Sequence, residues 1–383
     1  VIGYDQRKSY VTNLLNQDGI KVVHTLDEIT YKPESLYIYS SAIPIESDRF
    51  EDFYDKENVL SRPEYLKNLS ENHKIIGITG THGKTSTTAL LSHIFHFNNV
   101  NVSYLYGGIT TFNGIGGHYG DPDQPLILET DEAFNTFEKI KISDLLVLNV
   151  DSDHLDYFKN LDNYKDAFYK VMKNVTDNLV INNDDLNIKS MKELKNPVSY
   201  GKDISADFKV QSPGTFIYEN NKYEIKSDII GDHFKSNMLG AIILALLNGI
   251  EIKDSLNAIE SFAGVKRRIE LIGISKGVLI YDDYGHHPTE MEATITALKQ
   301  QTESKLYVVF QPHRYTRTME YFSSFKDSLK LADFAIVTDI YPAGESPIPG
   351  ISSKNFEEES IKYLKSIRSV SYTHLRAHET ILD

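Results

Sequence analysis

The run Gly80-Thr81-His82-Gly83-Lys84-Thr85-Ser86 places an ammonium and two hydroxyls directly behind a glycine-bounded turn. An apolar strand pattern, "KIIGI", leads into it. A helical pattern follows from Thr85 to Phe97, with Leu90/Ile94 and Leu91/Phe95 spaced one turn apart. A strand that ends in glycine and opens a helix aims backbone N–H groups and the positive end of the helix dipole at one spot, where phosphates bind. Lys84 can reach terminal phosphates, and the Thr85 hydroxyl can ligate Mg²⁺. The spacing is G-x-x-G-K-T, shorter than the usual G-x-x-x-x-G-K-[ST] phosphate loop. A plain glycine turn would need neither the lysine nor the hydroxyl, so the run is read as an ATP site.

Two acidic stretches follow other strand patterns. "LILETDE" sets Glu129 at a strand tip, ahead of Asp131 and Glu132, and "LLVLNVDSDHLDYF" sets His154 just beyond another. Ligands of open α/β sheets collect at the carboxyl ends of strands. Glu129 and His154 are therefore candidates to hold a cation, Mg²⁺ or Mn²⁺, beside the loop. A solvated surface histidine is the competing reading of His154. In "GDHFKSNMLGAIILAL", His233 and Asn237 stand one turn apart at the head of an apolar helix. They suit either N-terminal capping or contact with a nucleotide base.

A third set of groups lies after residue 264. "GVKRRIE" supplies Lys266, Arg267 and Arg268. "LIYDDYGHHPTE" supplies Asp282, Asp283, Tyr284, His286 and His287 before a proline suited to a first helical turn, and "VFQPHRYTRT" supplies His313, Arg314 and Arg317. One charge run is usually a solvated face. Polar clusters at successive strand ends point instead to one crevice.

The elements that must position these groups alternate along the chain. Near-continuous apolar runs ("LYIYSSA", "KIIGITG", "PLILET", "LLVLNV", "NLVINND", "GVLIYDDY", "LYVVFQP", "DFAIVTDIY") are separated by helical patterns, the α/β plan of parallel sheets covered on both faces. The stretch from about 200 to 230 reads as an antiparallel hairpin insert. "SENHK" at 70–74 and "SFAGVKRR" at 261–268 mark the seams. The division expected is 1–72, 73–263 and 264–369, with 370–383 as a probable non-native tail whose composition departs from the helix before it.

Length and charge bound the function. The chain has 383 residues, more than one ordinary core, and a net charge of −14 from 54 acidic and 40 basic residues. That balance argues against a nucleic-acid partner, which needs clustered cations to neutralise phosphates. No apolar run approaches the ~20 residues of a membrane span. The absence of cysteine excludes disulfides and thiolate metal sites, and a reducing cytoplasm is the expected location.

With these residues in view, the chain resembles the Mur ligase family. "GTHGKTSTT" matches that family's spelling of the phosphate loop, and "DDYGHHPTE", "FQPHRYTRT" and "DIYPAGESPIPG" (339–350) resemble the member that joins L-alanine to UDP-N-acetylmuramate. The match runs over about residues 1 to 365. The resemblance implies three domains with mostly parallel sheets: a P-loop centre for ATP, flanked by Rossmann-like N- and C-terminal domains, the last of which closes on binding. It implies that ATP phosphorylates a carboxylate and that an amine then displaces phosphate. It places Lys84 on the β/γ-phosphates, Thr85 and Glu129 on one metal, His154 on a second, Asn237 at the adenine, Arg268 at the nucleotide phosphates and Asp283 at the ribose. His286, Arg314 and Arg317 would line the L-alanine side. Lys84, Glu129, His154, His286, Arg314 and Arg317 are thus the candidate catalytic groups, in a monomer or weak homodimer.

Three departures accompany the resemblance. The family's first strand and glycine-rich turn would lie upstream of Val1. Phe234 stands where an asparagine is usual in His-Asn-x-x-Asn. The family's closing strand and helices are replaced by the 370–383 stretch, so the sequence reads as a fragment truncated at both ends. The alternatives left open are another Mur-type ligase such as the murein tripeptide ligase, a folylpolyglutamate synthetase-like enzyme, a P-loop kinase or NTPase that forms no amide, and a non-catalytic nucleotide-binding module.

Overall fold

The computed structural model describes residues 1–40, 43–110, 114–152 and 155–365. The chain divides into two compact units: residues 1–228 with 234–266, and residues 229–233 with the chain from Arg267 onward. His154 and the 370–383 stretch lie outside the described residues.

The first unit opens with two small parallel pairs, β1 (Ile2–Tyr4) with β2 (Lys21–Val23) and β3 (Tyr37–Tyr39) with β4 (Val59–Ser61). Its main sheet uses β5 (Ile75–Thr79), β6 (Ser103–Thr110), β7 (Gly114–His118), β8 (Leu126–Glu129), β9 (Asp144–Val147), β10 (Asn178–Asn182) and β11 (Val198–Gly201). It continues through β12 (Phe208–Ser212), β13 (Thr215–Tyr218) and β14 (Asn221–Glu224). The spatial order is β14-β13-β12-β11-β10-β9-β5-β8-β6-β7. Pairing is parallel from β12 through β6 and antiparallel for β12–β13, β13–β14 and β6–β7. Strand β5 sits between β8 and β9, both later in the chain. The winding direction reverses there, which opens a crevice at the β5 carboxyl end.

Burial explains these strands. Ile75, Ile76 and Ile78 of β5, and Leu145, Leu146 and Val147 of β9, are completely buried, as expected of strands covered on both faces. The helix Lys84–Phe97 buries Leu90, Leu91, Ile94 and Phe95 against the sheet. Its polar residues Thr87, Thr88 and Ser92 are buried as well. Each hydroxyl donates to the carbonyl one turn earlier (Gly83, Lys84 and Thr88, all 2.8 Å), so no orphan donor is created. The helix Asp232–Leu247 is buried continuously from Asn237 to Ala245. No described helix is long and apolar enough to cross a membrane.

The second unit holds β15 (Glu270–Ser275), β16 (Val278–Asp282), β17 (Tyr307–Phe310), β18 (Phe334–Val337) and β19 (Ile361–Tyr363). Strands β17, β18 and β19 are parallel over a core of Met291, Phe310, Phe325, Leu329, Ala335, Val337, Phe356 and Ile361. One expectation needs correcting here. "GVLIYDDY" is not a parallel strand but pairs antiparallel with β15. The cause is the two-residue turn Lys276-Gly277, whose φ values of 49° and 81° suit the tight hairpin that follows strand twist. Strands β6 and β7, also antiparallel, had no counterpart in the sequence reading, because their glycines break the apolar alternation.

Candidate active site

The phosphate loop is shaped by its neighbour across the crevice. Gly80 (φ 139°) and Gly83 (φ 86°) take left-handed backbone conformations, and Gly83 caps the helix that begins at Lys84. The first helical hydrogen bond runs from Thr87 N to Gly83 O at 3.1 Å. The N–H groups of Lys84, Thr85 and Ser86 come before it and point out of the helix end. Asn149, two residues past β9, clasps the loop: its Oδ1 accepts from His82 N at 2.8 Å and its Nδ2 donates to His82 O at 2.9 Å. Thr81 N donates to Asn149 O at 3.1 Å. The Thr81 hydroxyl accepts from Asp151 N at 2.8 Å and lies 3.1 Å from the Tyr164 hydroxyl. The His82 ring meets Asp151 Oδ2 at 3.2 Å.

Lys84 Nζ donates to Gly80 O (2.7 Å), Thr81 O (3.1 Å) and Glu132 Oε1 (2.9 Å). An ammonium has three donors, so these acceptors match its capacity. Glu132 is completely buried and also accepts from the Tyr164 hydroxyl at 3.2 Å. Burial pushes the Glu132 carboxyl above the usual carboxylate value, against the opposing pull of Lys84. Burial alone would lower the Lys84 pKa, but the negative charge of Glu132, Asp131 and Glu129 outweighs it, so the ammonium stays protonated. In the sequence Glu132 stands near Glu129 with no role of its own. Its signal was faint: an acid one short turn past Glu129, whose partner lies 48 positions away.

Beside this pair, Thr85 Oγ1 donates to Glu129 Oε1 at 2.8 Å, and Gly107 N donates to Glu129 Oε2 at 2.7 Å. The second bond exists because the β6–β7 ladder breaks register between Leu105 and Ile109, which frees the Gly107 N–H from strand pairing. A side chain at Gly108 would meet Thr85 Cγ2 at 2.7 Å and Val265 Cγ1 at 2.9 Å, so only glycine lets β6 come this close. A carboxylate and a hydroxyl side by side at a phosphate loop are hard oxygen donors of the kind Mg²⁺ takes, and Mn²⁺ accepts them too. The buried Asn237 lies against the loop itself: a Cβ on Gly83 would overlap its Nδ2.

In the second unit, three strand-end clusters come together. Arg267 and Arg268 lie over the Tyr284 ring, at 4.7 and 5.3 Å from its centroid. Arg268 also faces Glu290 at 3.8 Å, and Glu290 accepts from His286 N at 3.0 Å. Asp283 is committed to the turn. Its two oxygens accept from Ile269 N (2.9 Å) and Gly285 N (2.7 Å), which holds Ile269 at an unfavourable φ of 49°. His287 caps the helix Pro288–Gln300. The His286 and His313 rings are 6.1 Å apart, and His313 stacks on Tyr341 at 5.5 Å. Burial, with His286, Arg317 and Arg314 nearby, brings the His313 pKa down to about 4, so its imidazole is neutral at pH 7. Arg314 Nε donates to Glu345 Oε1 at 2.7 Å, and Arg317 follows on the helix Tyr315–Glu320.

Comparison with known proteins gives three concordant findings. Residues 78–245 match the Mur ligase middle domain, and residues 267–379 match the Mur ligase glutamate ligase domain. The UDP-N-acetylmuramate–L-alanine ligase of Dictyoglomus turgidum is 36% identical over 376 residues, covering 94% of this chain and 80% of the relative. The fold is similar to that of the Thermotoga maritima UDP-N-acetylmuramate–alanine ligase, with a TM-score of 0.77, 24% identity and coverage of 97% of this chain and 87% of that one. It is also similar to a MurF ligase from the same organism in complex with ADP, with a TM-score of 0.62, 20% identity and coverage of 88% and 87%.

Proposed function

The chain belongs to the Mur ligase family, and from that premise we propose that it is an ATP-dependent ligase joining L-alanine to UDP-N-acetylmuramate, a step of peptidoglycan precursor synthesis in the cytoplasm. The observation that carries this reading is the pairing, at one phosphate loop, of a fully engaged Lys84 with the Thr85–Glu129 oxygen pair.

The chemistry asked of the site is charge management. A muramate carboxylate attacks the γ-phosphorus of ATP, the bond to ADP breaks, and an acyl phosphate forms. The L-alanine amine then attacks the acyl carbon; phosphate leaves, a proton is lost, and an amide remains. The first step brings two anions together, so fixed cations and dipoles supply much of the catalysis. On ATP binding Lys84 would exchange a loop-carbonyl contact for phosphate oxygens, and the N–H groups of Lys84, Thr85 and Ser86 add a static field along the helix axis. Thr85 and Glu129 would hold Mg²⁺, which when bound supplies Lewis-acid polarisation of the phosphates. Asn237, lying on Gly83, fixes the loop from behind.

To the second unit we assign the amino acid. Arg314 and Arg317 meet its carboxylate, and His286 lies beside them. Arg268 and Tyr284 form a stacked cationic face suited to phosphate or a sugar carboxylate. Asp283 shapes the turn that carries Tyr284 and His286, and its remaining acceptor sites are assigned to the ribose. The division at 1–72, 73–263 and 264–369, and a monomer or weak homodimer, are part of the same proposal. Mass spectrometry of a reaction containing ATP, Mg²⁺, UDP-N-acetylmuramate and L-alanine tests it: the expected product is the substrate plus one alanyl residue. ADP formation with no alanylated product would reject amide formation.

A further inference from the structure

The segment "DIYPAGE" at 339–345 folds back on "HRYT" at 313–316 in a way the reaction outline does not use. Ala343 and Gly344 take φ values of 46° and 89°, a tight turn that returns Glu345 to the helix Tyr315–Glu320. One Glu345 oxygen accepts from Arg314 Nε at 2.7 Å and from the Thr316 hydroxyl, and the other accepts from Thr316 N at 3.0 Å. At the other end of the segment, Tyr341 O accepts from Arg314 N at 2.8 Å, and the Tyr341 ring stacks on His313. Arg314 itself has φ 70°, a left-handed conformation that a non-glycine residue keeps only when its surroundings enforce it.

A guanidinium binds a carboxylate either through Nε and one Nη or through both Nη groups. Glu345 takes the Nε of the first edge, so the Nη1/Nη2 edge is the one offered to a ligand. We propose that Glu345 is a positioning residue for the amino acid: it fixes the Arg314 guanidinium side-on, so that the end-on edge meets the substrate carboxylate. Glu345 does not touch substrate. It acts through Arg314, and the inference rests on the assignment of Arg314 to the amino-acid carboxylate.

The test is steady-state kinetics of the full chain with Glu345→Ala, Glu345→Gln and Arg314→Ala, reading KM for L-alanine, KM for ATP and Tm together. A misplacement of about 1 Å can cost about 100-fold, so the smaller shift left by Glu345→Ala should raise KM for L-alanine about 10-fold. The rise should be smaller in Glu345→Gln, which keeps an acceptor oxygen, while KM for ATP and Tm stay near those of the parent. Arg314→Ala should raise the same KM by about 100-fold, the loss expected for a bidentate ionic contact. An unchanged L-alanine KM in both Glu345 variants, beside a raised one in Arg314→Ala, overturns the positioning role alone. An unchanged KM in Arg314→Ala, or no L-alanine-dependent turnover in the parent chain, overturns the assignment beneath it.

Discussion

Two cation–carboxylate pairs, one in each unit, show how differently the same contact can be used. Lys84 and Glu132 are buried together, with side-chain exposures of 13% and 1%, and loop carbonyls take the remaining ammonium donors. Arg314 and Glu345 are 37% and 17% exposed, and Glu345 meets the guanidinium at Nε. The environments also push the two carboxyls in opposite directions. Burial raises Glu132, whereas the Thr316 and Arg314 hydrogen bonds outweigh a burial penalty and hold Glu345 at about 2. Bringing two charges into a protein core has a desolvation cost that is recovered only with close geometry. The first pair therefore makes sense as the buried floor of a phosphate site, and the second, in the proposal above, as a more exposed contact that holds Arg314 for a ligand.

The sharpest way to break the comparison is to remove the first cation. Lys84→Ala should lower kcat by about 10³-fold, the scale of losing one preorganised charge at a developing anion, with binding of UDP-N-acetylmuramate by calorimetry unaffected. Retained turnover in this variant would mean that the loop is only structural.

Next in size is stability. Glu132→Ala strands a buried ammonium and should cost about 3–5 kcal/mol in urea unfolding. Glu345→Ala, at a partly exposed pair, should cost less than about 1 kcal/mol. Equal losses would show that burial does not separate the two pairs.

The smallest effect is the most specific. Carboxyl NMR titration should find Glu132 protonating above the ordinary glutamate value of 4.5 and Glu345 near about 2. The consequences for stability have opposite signs. Between 4.5 and its raised pKa, Glu132 keeps a proton in the folded state that the unfolded chain has released, so its contribution to stability falls as pH rises through that window. Glu345 contributes stability that is fully present above 4.5 and is lost as pH falls from 4.5 toward about 2. Coincident titrations would erase the distinction.

Legibility in the sequence follows the range of the interactions. Lys84 and Thr85 were readable because loop and helix are contiguous, and Glu129 because a strand tip in an α/β sheet is a known place for ligands. The α/β plan followed from unbroken apolar runs such as "KIIGI". The grips of Glu132 on Lys84 and of Asn149 on His82 join residues 48 and 67 positions apart, and no local pattern encodes them. The Gly107 bulge that anchors Glu129 was hidden because "YGGITTFNGIGG" reads as loop until β6 and β7 pair. Asp283 reads in the sequence as a ligand, and its two oxygens also bind the backbone of its own turn, a local role that the sequence does not separate from a ligand's.

The most direct test of the whole account is phosphate release from ATP and Mg²⁺ in the presence of UDP-N-acetylmuramate, measured with and without L-alanine. The account predicts sustained release only when both are present. Sustained release that is indifferent to L-alanine would contradict it and leave an ATPase in place of a ligase.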